Sequence, residues 1–242
     1  MLDAQVQRLC SAFGALSLGD RLALARREIP GRIVFTTSFG LEDQAVTHAI
    51  LDRKLDIEIV TLDTGRLFSE TYDVWSRTEE RYGTRIPAFY PERAQVEDLV
   101  AGQGIDGFRA SIDARKACCN VRKVVPLGRT LQGASGWVTG LRAEQSAGRS
   151  DMPFAEHDAP HALTKINPIV DWTRIDLAAF VADNSIPYNL LHDRGFPSIG
   201  CAPCTRAVRV GEPERAGRCW VGRRSQEGMW PACRARRPSI TV

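Results

Sequence analysis

The chain has 242 residues, 43% hydrophobic and 25% charged, with 32 Lys and Arg against 29 Asp and Glu and a formal net charge of +3. That composition belongs to a globular protein long enough to bury about 70% or more of its unfolded surface without disulfides. It excludes a membrane span, since no apolar run is long enough, and a surplus of three charges favours a small anionic ligand over nucleic acid, which needs a concentrated basic face.

The first residues, Met1-Leu2-Asp3-Ala4-Gln5, lack the charged and apolar regions of a signal peptide, so a cytoplasmic protein is expected. Val6, Leu9, Cys10, Phe13 and Leu16 recur at helical spacing and predict one amphipathic helix over 3–27, an N-terminal helical segment of residues 1–30. Ile33-Val34-Phe35-Thr36-Thr37 reads as a strand ending in Ser38-Phe39-Gly40, followed by a helix from Glu42 to Leu51. A second strand, Ile57 to Leu62, ends in Asp63-Thr64-Gly65 and precedes a helix from Leu67 to Tyr82. Gly136 to Gly140 is a further strand and turn, and residues 175–183 a further helix. Residues 143–162, polar and holding Gly148, Pro153 and Pro160, read as a mobile loop. Strands alternating with helices predict an α/β fold, a parallel sheet covered on both faces with ligands at the carboxyl ends of its strands.

Three motifs fall at such ends. Ser38-Phe39-Gly40-Leu41-Glu42-Asp43 opens a helix whose N-terminal N–H groups suit an anion, although an ordinary capped turn has the same look. It lacks the Gly-Lys-Ser/Thr of a phosphate-binding P-loop. Asp63 and Gly65 stand where nucleotide-binding folds place a ribose contact, and where a plain turn also places them. Arg142 and Arg149 follow the Gly136–Gly140 strand, and Arg215 and Arg218 lie near the end of the chain; the planar guanidinium fork suits sulfate and phosphate. His48, His157, His161 and His192 form no ligand pattern.

Four of the seven cysteines come in pairs, Cys118-Cys119 and Cys201-Ala202-Pro203-Cys204. In a reducing compartment, paired cysteines point to metal or redox chemistry more than to disulfides. Four thiolates suit a structural zinc or an iron–sulfur cluster, and spacing leaves the two level. Arg115, Lys116, Arg122, Lys123, Arg206 and Arg209 flank the pairs and would offset their charge.

In combination these stretches resemble the assimilatory sulfonucleotide reductases, within the adenine-nucleotide alpha-hydrolase-like proteins. The matching residues are Ser38 to Asp43, Leu62-Asp63-Thr64-Gly65-Arg66-Leu67, Lys116 to Cys119 with Arg122-Lys123, and Thr139-Gly140-Leu141-Arg142. They continue through Lys165 to Ile169 with Asp171-Trp172, Pro187-Tyr188-Asn189, and Leu191 to Gly195 running on to Ala216-Gly217-Arg218. The resemblance covers about residues 32–220, so a reductase domain is expected over 31–220. It implies a Rossmann-like fold and reduction of adenosine 5′-phosphosulfate to sulfite and AMP in assimilatory sulfate reduction. It also implies a [4Fe-4S] cluster on Cys118, Cys119, Cys201 and Cys204, since family members with these pairs carry the cluster and take the substrate lacking a 3′-phosphate. Ser38 and Gly40 would hold the phosphosulfate, Asp63 and Gly65 the nucleoside, and Lys123, Arg142, Arg215 and Arg218 would neutralise the anionic group and the cluster surroundings. In the family a cysteine thiolate attacks the substrate sulfur to form an S-sulfocysteine, which thioredoxin or glutaredoxin then reduces. The alternatives are a reductase for the 3′-phosphorylated substrate, a catalytically dead homologue that binds nucleotide and cluster, and an ATP-using thiolation enzyme, which the altered Ser38 loop disfavours.

The family nucleophile lies in a C-terminal Glu-Cys-Gly-Leu-His that this chain lacks. Its tail reads Gln226-Glu227-Gly228-Met229-Trp230-Pro231-Ala232-Cys233. Met and Trp have single codons, and shifting them by one base forces Cys-Gly. The overlap before that pair permits Glu, and the overlaps after it permit Leu and His. Gln226 and Glu227 then force Lys or Arg twice, as is common before the motif. One extra base near codons 219–221, a sequencing error or a real lesion, would account for this and make residues 221–242 a frame-shifted, non-native tail; a diverged tail is the alternative. The nucleophile is therefore unassigned in the printed frame, with Cys233, between Ala232 and Arg234, as a stand-in.

Overall fold

The computed structural model describes residues 2–218. The expected frame-shifted tail at 221–242, with Cys233, lies outside the described residues, as does Cys219.

Six strands form one sheet in the order β3-β2-β1-β4-β6-β5, where β1 is Ile33–Thr37, β2 Glu58–Leu62, β3 Ala88–Phe89, β4 Gly136–Val138, β5 Ala155–Asp158 and β6 Leu163–Ile166. Every pairing is parallel except the β5–β6 hairpin at one edge. Period-two alternation sends neighbouring side chains to opposite faces. Ile33, Phe35, Ile59, Val138 and Ile166 enter the larger core, whereas Val34, Val60 and Leu163 enter a smaller one with Leu131. Both faces are covered, which is why the inner strands read as continuous apolar runs.

The larger core is closed by α1 (Leu2–Phe13), α2 (Leu18–Glu28), α3 (Leu41–Asp52), α4 (Ser69–Tyr82) and α8 (Arg174–Asp183), through Leu9, Phe13, Leu22, Val46, Val74 and Val181 among others. On the other face lie α5 (Arg93–Gln103), α6 (Ile112–Cys119) and α7 (Val125–Leu131), with Leu127 and Leu131 of α7 against the sheet. α6 and α7 are joined by a π-helical turn, Asn120–Val124.

Two sequence expectations need correction. The helix over 3–27 is two helices, because Ser17 accepts a hydrogen bond from the Asp20 N–H and caps a new start at Leu18. The break lets Arg21, only 4% exposed, donate to the carbonyls of Phe13 and Pro168 and to both carboxylate oxygens of Asp171, at 2.6 and 2.8 Å. Residues 143–162 are not one loop: two short 3-10 turns, Ala143–Gln145 and Ala147–Arg149, lead into β5. β5 escaped the pattern reading because, of its residues Ala155-Glu156-His157-Asp158, only Ala155 is buried. Among the described residues no helix is long and apolar enough to cross a membrane.

Candidate functional site

β1 lies between β2 and β4, so the chain winds one way from β1 through β2 and the other way from β4 onward. Ligands on such sheets bind where the winding reverses, at the carboxyl ends of the strands. The loops after β1 and β4 meet there.

The β1 loop is shaped by Phe39, a non-glycine residue with φ of +56°, whose ring is fully buried and stacked on Trp75 at 5.4 Å. A left-handed aromatic costs about 1 kcal/mol or more, which the buried stack offsets. The turn leads into α3, whose cap residue Gly40 supplies no side-chain bond. The first N–H groups of α3 therefore keep their capacity for an anion. The Ser38 N–H and hydroxyl both donate to Asp43 Oδ2 at 2.6 Å. Burial raises the Asp43 carboxyl to about 6, against the Ser38 bonds that lower it. Gly140, after β4, is required by close approach: a Cβ there would stand 2.1 Å from Asp43 Oδ1.

The β2 loop is preorganised by hydrogen bonds. Asp63 accepts from the Gly65 N–H at 2.8 Å and from the Tyr72 hydroxyl on both oxygens at 3.0 Å, and Gly65 has φ of +70°. Tyr72 was not foreseen, since nothing in the sequence marks a tyrosine on α4 as the partner of Asp63.

The four paired cysteines come together beside this loop. Cys118 and Cys119 end α6 just before the π turn, and Cys201 and Cys204 flank the 3-10 turn Ala202–Cys204. The Ala202 N–H donates to the Arg66 carbonyl at 2.8 Å, and Thr64 Oγ1 lies 3.2 Å from Cys201 Sγ. All four are free thiols. Burial, foremost, and then nearby cysteines push Cys204 up to about 11. Burial and the Cys118 and Cys201 charges also raise Cys119. Burial raises Cys118 against the opposing charges of Arg122 and Arg66. Arg122, 7% exposed, donates to the Thr64 carbonyl at 2.8 Å and leaves its buried Nε without a partner. A neutral thiol set gains nothing from such cations, whereas a thiolate-bound group does. Among the described residues no three His, Cys, Asp or Glu converge on one metal-ion position.

Lys123 joins the cysteines to the β1 loop. Solvent reaches it, yet surrounding protein lowers its ammonium, followed by Arg218, while Cys201, Asp43 and Cys119 oppose that shift. Burial and then Arg215 lower Arg218 to about 10, with Cys201, Cys204 and Cys119 opposing. Its guanidinium packs on Gly200, where a Cβ would meet it at 2.3 Å. Burial also lowers Arg149 and Arg215, and the Arg215 charge is the next cause acting on Arg149. Arg215 donates to Ser198 Oγ at 3.4 Å and Arg149 to Gln145 Oε1. Among the described residues Lys123, Arg149, Arg215 and Arg218 form no ion pair with a carboxylate.

Arg142 is placed differently. It is 0% exposed and faces three carboxylates: Nε donates to Glu42 at 3.0 Å, Nη1 to Glu144 at 2.9 Å and Nη2 to Glu214 at 2.9 and 3.1 Å. Sequence reasoning named the arginines of this segment without distinguishing them. A charge is visible in a sequence, but its partner is not.

A family model described as the phosphoadenosine phosphosulfate reductase domain matches residues 32–207. A protein of Sinorhizobium fredii named adenosine 5′-phosphosulfate reductase is 52% identical, over 90% of this chain and 87% of its own length. Proteins of the same name from Agrobacterium fabrum and Allochromatium vinosum are 51% and 53% identical, over 90% and 78% of this chain and 84% and 73% of their own lengths. Among solved structures, phosphoadenylyl-sulfate reductase from Candida auris in a phosphate complex superposes with a TM-score of 0.70 at 24% identity, over 81% of this chain and 94% of that one. That likeness concerns the fold.

Proposed function

Because the chain belongs to the family of the phosphoadenosine phosphosulfate reductase domain, we propose that its folded part is that of an adenosine 5′-phosphosulfate reductase, an oxidoreductase of assimilatory sulfate reduction. The observation that carries this reading is the group of four cations without carboxylate partners, Lys123, Arg149, Arg215 and Arg218, at the strand ends. Cations gathered without counter-ions repel one another, and a multiply charged anion relieves that repulsion. The names of the relatives, at about half identity over most of the chain, support the phosphosulfate as that anion.

In the reaction a cysteine thiolate attacks the substrate sulfur. The S–O bond to the phosphate breaks, AMP leaves with that electron pair, and the sulfur is held as S-sulfocysteine. A dithiol protein, thioredoxin or glutaredoxin, attacks the cysteine sulfur, sulfite leaves with the electron pair of the S–S bond, and the second thiol resolves the resulting mixed disulfide, closing the reductant to a disulfide and releasing the enzyme cysteine as thiolate. The residues described here bind and orient. The α3 N-terminus and the cations take the phosphosulfate, and the Asp63 loop takes the nucleoside. Tyr72 and the Gly65 N–H hold the Asp63 carboxylate in one orientation before substrate arrives.

Cys118, Cys119, Cys201 and Cys204 fit a [4Fe-4S] cluster. Four free thiols with cations on either side suit the cluster that the resemblance implies, in which each thiolate would hold one iron. When bound, the cluster supplies a ligation that ties α6 to the 201–204 turn and a charge beside Lys123 and Arg218.

The test is equilibrium binding of adenosine 5′-phosphosulfate and its 3′-phosphorylated form to purified protein, with iron and sulfide analysis of the same sample. Tight binding of the former, at least about tenfold weaker binding of the latter, and four irons per chain are expected. Preference for the 3′-phosphorylated nucleotide, or protein free of iron after anaerobic reconstitution, would contradict the reading.

A further inference from the structure

Arg142 engages Glu42 in the first turn of α3, Glu144 after β4 and Glu214 beside Arg215. Every nitrogen of its guanidinium has a carboxylate partner and the side chain is 0% exposed, so its charge is committed to this set. Arg174 adds a second cation, donating through Nη1 to Glu214 at 3.3 Å and through its backbone N–H to Glu144 at 2.6 Å. Gln145 Nε2 donates to Glu42 at 2.6 Å, and Gln145 Oε1 accepts from Arg149.

The contrast with its neighbours is informative. Glu42 and Glu214 lie close enough to both Arg149 and Arg215 to act on their charges, yet neither carboxylate forms an ion pair with them. Both carboxylates are taken by Arg142. A buried carboxylate without that partner would turn to the next available guanidinium.

We propose that Arg142 is a positioning residue whose charge keeps Glu42 and Glu214 off Arg149 and Arg215, leaving those two arginines open to the 5′-anionic group of the nucleotide. The inference rests on the proposed function and assigns Arg142 a role other than direct substrate contact. Without Arg142 the site would not lose a ligand; it would be neutralised from within. This makes a specific demand: removing the Glu214 charge as well should reopen the site.

The experiment is calorimetric titration of the full chain with AMP, adenosine 5′-phosphosulfate and adenosine, for Arg142→Gln, Glu214→Gln and the double variant. Arg142→Gln should weaken both anionic nucleotides about tenfold or more and leave adenosine within about twofold. The double variant should recover about half or more of that loss on a logarithmic scale, the non-additivity that marks two residues acting on each other. A purely structural role would weaken adenosine equally and give no recovery, and either result overturns the proposal. If Arg142→Gln does not fold, Arg142→Lys carries the same test, because an ammonium cannot engage three carboxylates as the planar fork does. Its AMP affinity should fall about threefold and return with Glu214→Gln; unchanged affinity overturns the proposal. A wild-type chain that binds none of the three ligands would refute the proposed function itself, and this inference with it.

Discussion

Asp43 shows how one side chain can serve a site at a cost to the fold. Its carboxyl accepts two bonds from Ser38 and lies against Gly140, and burial raises it to about 6 from the ordinary 3.8. The folded state therefore binds its proton more tightly than the unfolded state does. The sign follows: the Asp43 contribution is most favourable below about pH 4 and is lost as pH rises through about 6, by roughly 3 kcal/mol at most. Asp43→Asn keeps an acceptor for Ser38 and cannot ionise. Denaturant unfolding from pH 4.5 to 7.5 should show the variant gaining stability relative to wild type as pH rises, with the difference level above about pH 7. Parallel profiles would refute the assignment. The motifs singled out Ser38, Gly40, Asp63, Lys123 and the four cysteines as candidates, and the structure places the Ser38 and Asp63 loops at the carboxyl ends of β1 and β2. The partners of Arg142 were not legible as a set, because Glu42 and Glu214 lie 100 and 72 residues away and only Glu144 is a sequence neighbour.

At the scale of elements, pattern reading recovered β1, β2, β4, α3, α4 and α8. It failed where tertiary contacts override the local pattern. The break between α1 and α2 is set by the Ser17 cap and by Arg21, whose buried guanidinium reaches across to the segment after β6. β5 is stabilised by its pairing with β6 and not by its own polar sequence. Arg21→Met leaves the Phe13 and Pro168 carbonyls without their donor and Asp171 without its partner, for a loss of about 3 kcal/mol. That corresponds to a fall of roughly 6–12 °C in Tm for a chain of this length. Asp171→Asn should cost less, since Asp171 is 41% exposed and water replaces part of the bond. Thermal unfolding that ranks the two variants in the opposite order would contradict this account of the α1–α2 break.

The whole molecule has a sheet that reverses its winding at β1 and β4, a group of cations there, and a cysteine set linked to it by Lys123 and the Asp63–Arg66 turn. On the proposed function the nucleotide-binding residues fall within residues 2–218, whereas the nucleophile that the resemblance implies belongs to a C-terminal motif that the printed frame lacks and the neighbouring frame permits. Binding and chemistry should therefore separate between the two frames. The most direct measurement is sulfite release from adenosine 5′-phosphosulfate, with thioredoxin as reductant, by the printed chain and by a chain expressed after removal of one base near codon 220. The restored chain is predicted to release sulfite and AMP in equal amounts, and the printed chain to bind the nucleotide without releasing sulfite. Failure of the restored chain to release sulfite, or equal turnover by the printed chain, would contradict the account.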